Sequence, residues 1–243
     1  MFRKTLKRWL DLFGIEIRRR PSIKEIEEKE IQKLREENRW IIHLKLNTII
    51  DIGANEGQFA HKMRKLLPVV QIISFEPIPE VYNILVNSFH NDSLFSSFNI
   101  GLGESVKTTK MWLNEYSPSS SLLKMKEHLN QFSFAKQQIA IDVKIDTLDR
   151  VLNLSMIRKP YLVKIDVQGY EENVLKGGRK VISSAEVVII EVSYRQLYED
   201  HMLFDGIYRQ MQKMGFYFHG NYEQLLSPLN NEVLQADAIF LKY

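Results

Sequence analysis

Four carboxylates stand where an α/β chain places its reactive groups. Asp51, Glu76 and Asp166 each close or follow a short apolar run, and Glu191 lies one residue inside the end of another. Ligands of open parallel sheets bind in the crevice beyond the carboxyl ends of the strands, so these acids are expected to ring one pocket. Such a ring suits a ligand with cationic groups, or a carboxylate acting as a general base. Asp166 and Glu191 together would also offer oxygen ligands to a divalent metal such as Mg²⁺, although no third ligand is visible and a metal is not the favoured reading.

The stretch 47–58, Asn-Thr-Ile-Ile-Asp-Ile-Gly-Ala-Asn-Glu-Gly-Gln, gives the first acid its setting. A β-branched run leads into Gly53 and Gly57, and a helical pattern follows. Strand, glycine turn and helix form a nucleotide-type corner, with free N–H groups at the start of the helix. A dinucleotide fingerprint wants Gly-x-Gly-x-x-Gly. Here Asn55 replaces the middle glycine that admits a pyrophosphate, and Asp51 would repel one. Asp51 suits S-adenosylmethionine, which carries an ammonium and a sulfonium; the structural alternative is a helix-capping Asp. Glu76, 25 residues after Asp51, is placed to accept hydrogen bonds from a ribose diol and serves NAD or S-adenosylmethionine equally well. A nicotinamide oxidoreductase therefore remains one rival reading at this point, and a non-catalytic protein that binds membrane surfaces is another.

Other reactive types are sparse. The chain has no cysteine, so disulfides, thiol nucleophiles and cysteine-based metal sites are excluded. Its six histidines form no ligand-spaced cluster; His201, in a polar loop after the fifth strand, is a second candidate base behind Asp166. No nucleophile elbow or Walker loop occurs. A net charge of +3 calls for no nucleic-acid partner. No apolar run reaches the ~18 residues of a membrane span, and no secretory apolar core opens the chain, so a cytoplasmic protein is expected.

The elements that must position these residues follow from periodicity. Residues 1–20 hold seven Lys/Arg and two acids, with Phe2, Leu6, Trp9, Leu10 and Phe13 on one helical face. Such a helix packs on protein or lies on the inner, anionic face of a membrane. After Pro21, Ser22 and Glu25 form a capping box for a charged helix to about residue 40. Residues 1–45 thus read as a helical extension and 46–243 as the main domain. In the latter, strands near 48–52, 69–75, 95–102, 161–166 and 187–192 alternate with helices at 57–67, 79–89, 170–177 and 203–214, which argues for a parallel doubly wound sheet. Segments 106–113 and 139–145 alternate as an inserted hairpin-like pair; between them lie a Ser-rich loop and a loose helix over 122–134. A last pair, 216–219 and 236–242, closes the sheet antiparallel.

The motifs Ile50-Asp51-Ile52-Gly53-Ala54-Asn55-Glu56-Gly57-Gln58-Phe59, Phe75-Glu76-Pro77, Gly101-Leu102-Gly103-Glu104, Ser119-Ser120-Ser121-Leu122, Thr147-Leu148-Asp149, Lys164-Ile165-Asp166-Val167-Gln168-Gly169-Tyr170-Glu171, Val174-Leu175-Lys176-Gly177 and Ala236-Asp237-Ala238-Ile239-Phe240 occur in this order. Together they resemble the FkbM family of S-adenosylmethionine-dependent methyltransferases over about residues 48–243. The resemblance implies a Rossmann-like class I methyltransferase fold, a mostly parallel seven-stranded sheet with a closing antiparallel strand. It implies O-methylation of a hydroxyl, commonly on a sugar of a glycan, glycolipid or natural product. By that likeness Asp51, Gly53, Ala54, Asn55, Gly57 and Phe59 hold the methionine part of the cofactor. Glu76 and Pro77 border the ribose, Gly101, Leu102 and Gly103 flank the adenine, and Asp166 lies near the methyl group. Ser120, Ser121, Gln168 and Glu191 are the expected acceptor contacts.

Overall fold

A computed structural model describes residues 21–114, 121–123 and 137–242. Helix α1 (Ile23–Glu37) starts as its capping box requires: Glu25 N donates to Ser22 Oγ at 3.2 Å, and Ser22 N donates to Glu25 Oε2 at 2.7 Å. The chain divides between residues 39 and 40 into two compact units. The first holds α1; the division falls after the first residue of the short α2 (Arg39–His43), and the second unit carries everything that follows. Residues 1–20, on which the basic amphipathic reading falls, and most of 122–134 lie outside the described residues. Among the described residues no helix is long and apolar enough to cross a membrane.

The second unit is built on strands too apolar to leave either face in water. Strands β1 (Thr48–Ile52) and β7 (Tyr161–Ile165) are buried at every position, and β8 (Val187–Ser193) at all but Glu191. Chains of this kind become central strands covered by helices on both sides. With β2 (Gln71–Phe75), β3 (Phe95–Phe98), β9 (Tyr217–Leu226) and β10 (Val233–Leu241) they form a seven-stranded sheet in the order β3-β2-β1-β7-β8-β10-β9. The first five are parallel, whereas β10 runs antiparallel between β8 and β9. That is the Rossmann-like class I methyltransferase topology. The helices that cover it are α3 (Gln58–Leu66), α4 (Pro79–Ser88), α5 (Leu148–Val151), α6 (Glu171–Gly177), α7 (Arg179–Ser183) and α8 (Phe204–Lys213). Ile50, Val163, Val188 and Phe240 are among the side chains of the main core, all fully buried. Each contributes ~1.5–3 kcal/mol.

The expected third strand over 95–102 is two elements. Asn99 Nδ2 donates to the carbonyls of Glu76 (2.9 Å) and Pro77 (3.2 Å), and β3 ends just before it. The chain then leaves the large sheet, and β4 (Gly101–Leu102) pairs with β6 (Gln137–Asp146). The inserted pair is real: β5 (Lys107–Asn114) runs antiparallel to β6, and the three strands form a second sheet in the order β4-β6-β5.

Candidate active site

The sequence Gly53-Ala54-Asn55-Glu56-Gly57 makes its turn with three left-handed residues, Gly53 (φ 82°), Asn55 (φ 50°) and Gly57 (φ 95°). Asn is among the few side chains that accept this region readily, which is why Asn55 can stand where a dinucleotide turn has glycine. The turn is fixed from β2: Gly53 N and Ala54 N donate to the Phe75 carbonyl, and Asn55 N donates to Glu76 Oε2 at 2.9 Å. The other oxygen of Glu76 accepts from Ile78 N at 2.8 Å. At Gly53 a side chain would meet the Asp166 carbonyl at 1.8 Å, so only glycine lets β1 and β7 close together here.

A second left-handed curl, Gln168 (φ 52°) and Gly169 (φ 94°), follows β7. Glu171 Oε1 staples it by accepting from Val167 N and Gly169 N, both at 3.1 Å. Between the two curls lies a cavity of about 700 Å³. Asp51, Gly53, Ala54, Asn55, Phe59, Glu76, Pro77, Gly101, Leu102, Asp166, Gln168 and Glu191 all line it.

The remaining expected residues are placed otherwise. Gly57 and Gly103 do not line the cavity. A side chain on Gly57 would strike Leu85 of α4 and Phe89 just after it, and one on Gly103 would strike Ile145 and Tyr170, so both glycines serve packing. Ser121 Oγ donates to the Gln168 carbonyl at 2.6 Å and accepts from Leu123 N at 3.0 Å, latching the inserted segment to the curl after β7. Its neighbour Ser120 lies outside the described residues. His201 is buried outside the cavity lining. Its Nδ1 lies 2.9 Å from the Tyr198 carbonyl, and its Nε2 has no partner among the described residues. Burial lowers its pKa, against the hydrogen bonds to backbone that raise it.

The floor of the cavity is a charged line across four strands. Parallel register sets Asp51 of β1 beside Lys164 of β7, and antiparallel register sets Asp237 of β10 opposite Glu191 of β8. Lys164 Nζ donates to Asp237 Oδ1 at 2.8 Å and to Asp166 Oδ2 at 3.1 Å. Gln168 Nε2 donates to Asp166 Oδ1 at 2.9 Å and to Glu191 at 2.9 and 3.1 Å, so a carboxamide occupies the gap between the two acids proposed as metal ligands. Among the described residues no group of three or more His, Cys, Asp or Glu side chains could hold a metal ion. Tyr198 OH donates to Gln168 Oε1 at 2.6 Å, and Gln235 Nε2 donates to Glu191 Oε2 at 2.8 Å.

Burial dominates the electrostatics. It pushes Asp51 up to about 7, with Lys164 pulling the other way, and Glu76 up to about 7 against the two N–H groups it accepts. Glu171 is raised to about 7 by burial, and Glu191 and Asp237 are raised by burial. Burial alone would lower Lys164, but Asp166 and Asp237 outweigh it and hold the ammonium firmly charged. One atom stands out: Asp51 Oδ2 is buried with no hydrogen-bond partner among the described residues. An unpartnered buried carboxylate oxygen on a cavity wall fits a cationic ligand.

Lys164, Asp237, Tyr198 and Gln235 were not singled out as site residues by the sequence. A signal existed for two of them. Lys164 and Asp237 are charges inside otherwise apolar strands, where an unpaired charge is strongly disfavoured.

Comparison with known proteins agrees with this geometry. Residues 51–218 match the family model described as the methyltransferase FkbM domain. The 2-O-methyltransferase NoeI of Sinorhizobium fredii is 25% identical over 170 residues, covering 63% of this chain and 66% of that protein. Methyltransferase 1 of Beauveria bassiana is 29% identical over 145 residues, covering 53% and 57%. Both matches span less than two thirds of the relative. Among solved structures, the methyltransferase domain of bacterial CtHen1-C overlaps with a TM-score of 0.47 at 12% identity, covering 88% of this chain and 98% of that one; the topology stands on the sheet order itself.

Proposed function

Because the chain belongs to the FkbM methyltransferase family, we propose that it transfers the methyl group of S-adenosylmethionine to a hydroxyl, on a sugar of a glycan, glycolipid or natural product. The unpartnered Asp51 oxygen on an acidic cavity wall carries this reading, because it calls for a cation rather than a pyrophosphate. Asp51 and the Gly53–Gly57 turn would hold the amino-acid part, Glu76 the ribose, and the apolar wall around Gly101 and Leu102 the adenine.

When bound, S-adenosylmethionine supplies an electrophilic methyl group. The work of the chain is to align the acceptor oxygen with it and to take the hydroxyl proton. Alignment alone turns a bimolecular encounter into an effectively unimolecular one. Asp166 is the base in this proposal: its side chain is 35% exposed, the most accessible of the Lys164 triad, and Lys164 and Gln168 fix both its oxygens. Gln168, held by Tyr198 and Glu191, would border the acceptor beside Asp166. His201 is not assigned the proton, since its imidazole lies outside the cavity lining. The basic residues 1–20 would bring the enzyme to anionic membranes if the acceptor is lipid-linked; vesicle sedimentation with and without residues 1–20 tests that clause.

The test has two steps. Calorimetry should show S-adenosylmethionine binding that Asp51→Ala abolishes, and no binding of NADH. Methyl-labelled S-adenosylmethionine incubated with the protein and an extract of the source cell should then label an O-methylated product. Unaltered binding by Asp51→Ala refutes the cofactor assignment.

A further inference from the structure

Lys164 is a buried ammonium on the floor of a site meant for a cation, which is an unfavourable place for it by simple charge. Its side chain is 5% exposed and reaches two carboxylates, Asp166 just after β7 and Asp237 on β10. The acids around it come from several neighbouring elements: Asp51 from β1, Asp166 from just after β7, Glu191 from β8 and Asp237 from β10. Without the ammonium, Asp51, Asp166, Glu191 and Asp237 would be four clustered acids with no cation among them, and like charges so placed cannot all stay ionised.

We infer that Lys164 is a positioning residue of the methyl-donor site: its ammonium, clamped between Asp166 and Asp237 and beside Asp51, holds the acidic floor in place for a cationic ligand. The inference rests on the proposed binding of S-adenosylmethionine and adds a prediction of opposite sign to the naive one. Point-charge reasoning says that deleting a lysine from a cation site tightens binding. If Lys164 organises the floor, deleting it loosens binding. A cation within ~4–6 Å lowers a carboxylate pKa by roughly 1–3 units, and each unit lost costs tenfold when that carboxylate must be ionised to bind.

The experiment is calorimetric titration of the full chain with S-adenosylmethionine at neutral pH, which needs no acceptor. Lys164→Met should weaken binding roughly tenfold or more, while Lys164→Arg, which keeps the charge, stays within about threefold of wild type. Thermal unfolding of each variant reports on the fold. Should Lys164→Met not fold, Lys164→Gln/Asp237→Asn removes the ammonium without stranding Asp237 and should show the same loss. Binding by either variant as tight as wild type, or tighter, overturns the inference while leaving the proposed function standing. No binding by wild type overturns both.

Discussion

Asp51 is expected to hold the cofactor at the expense of the fold, and Asp51→Asn exposes the trade. Asp51 is 2% exposed, one of its oxygens has no partner among the described residues, and burial raises it from an ordinary 3.8 to about 7. The folded state therefore binds this proton more tightly than the unfolded chain does. Its contribution to stability is fully present below the unfolded value and is lost as pH rises through about 7. The difference between 3.8 and about 7 is worth about 4 kcal/mol. The raised pKa of Asp51 thus destabilises the apoprotein by about 4 kcal/mol at pH 8 but only by about 2 kcal/mol at pH 5, where the folded state keeps the proton and the unfolded chain does not. Any fixed penalty for placing an amide at this site cancels between the two pH values. The expected signature is a gain for Asp51→Asn that grows by about 2–3 kcal/mol from pH 5 to pH 8, or roughly 5–10 °C in Tm for a domain of this size. Urea unfolding of wild type and variant at both pH values measures it, and calorimetry should show the stabilised variant losing S-adenosylmethionine affinity. A stability difference that does not change with pH, or undiminished binding, would refute the reasoning.

Wild-type affinity for S-adenosylmethionine should itself depend on pH: the cation favours ionised Asp51, so binding should strengthen by up to tenfold per unit from about pH 5 to about pH 7 and then level off, as calorimetry across that range would show. Asp166→Asn should slow transfer by roughly 10²–10⁴ in labelled-methyl assays, a larger effect than its loss of cofactor affinity, since it removes the proton acceptor and only one of the two carboxylates that hold Lys164. Gly53→Ala should destabilise the fold by ~2 kcal/mol or more in urea unfolding and abolish binding, because its methyl group would lie 1.8 Å from the Asp166 carbonyl at a φ of 82°. Tyr198→Phe removes the 2.6 Å hydrogen bond to Gln168 and should cost ~1–3 kcal/mol of stability, with a larger fall in kcat than in cofactor affinity.

Much of the site was legible because it is local. Asp51, Gly53 and Asn55 lie within five consecutive residues, and the constraint that makes them a turn is a backbone one, so type and spacing reveal it. Glu76, Asp166 and Glu191 follow from where apolar runs stop, and the strand–helix alternation already implied that their ends share a crevice. The parallel sheet, the inserted pair and the antiparallel closure came from the same periodicity. The break in the third strand did not, because Asn99 makes it by reaching across to the carbonyls of Glu76 and Pro77.

What only the tertiary structure decided is which distant residues face each other. Asp237 lies 73 residues from Lys164 in sequence yet 2.8 Å from it in space, through strand order and register that no single segment encodes. The same non-local packing turned His201 out of the cavity lining, made Gly57 and Gly103 packing positions, and put a carboxamide between Asp166 and Glu191. The sequence by itself determined the acids, the glycine turns and the sheet that gathers them. The fold determined their charge state and partners, because burial and register set a carboxylate's pKa, and both are properties of the assembled sheet.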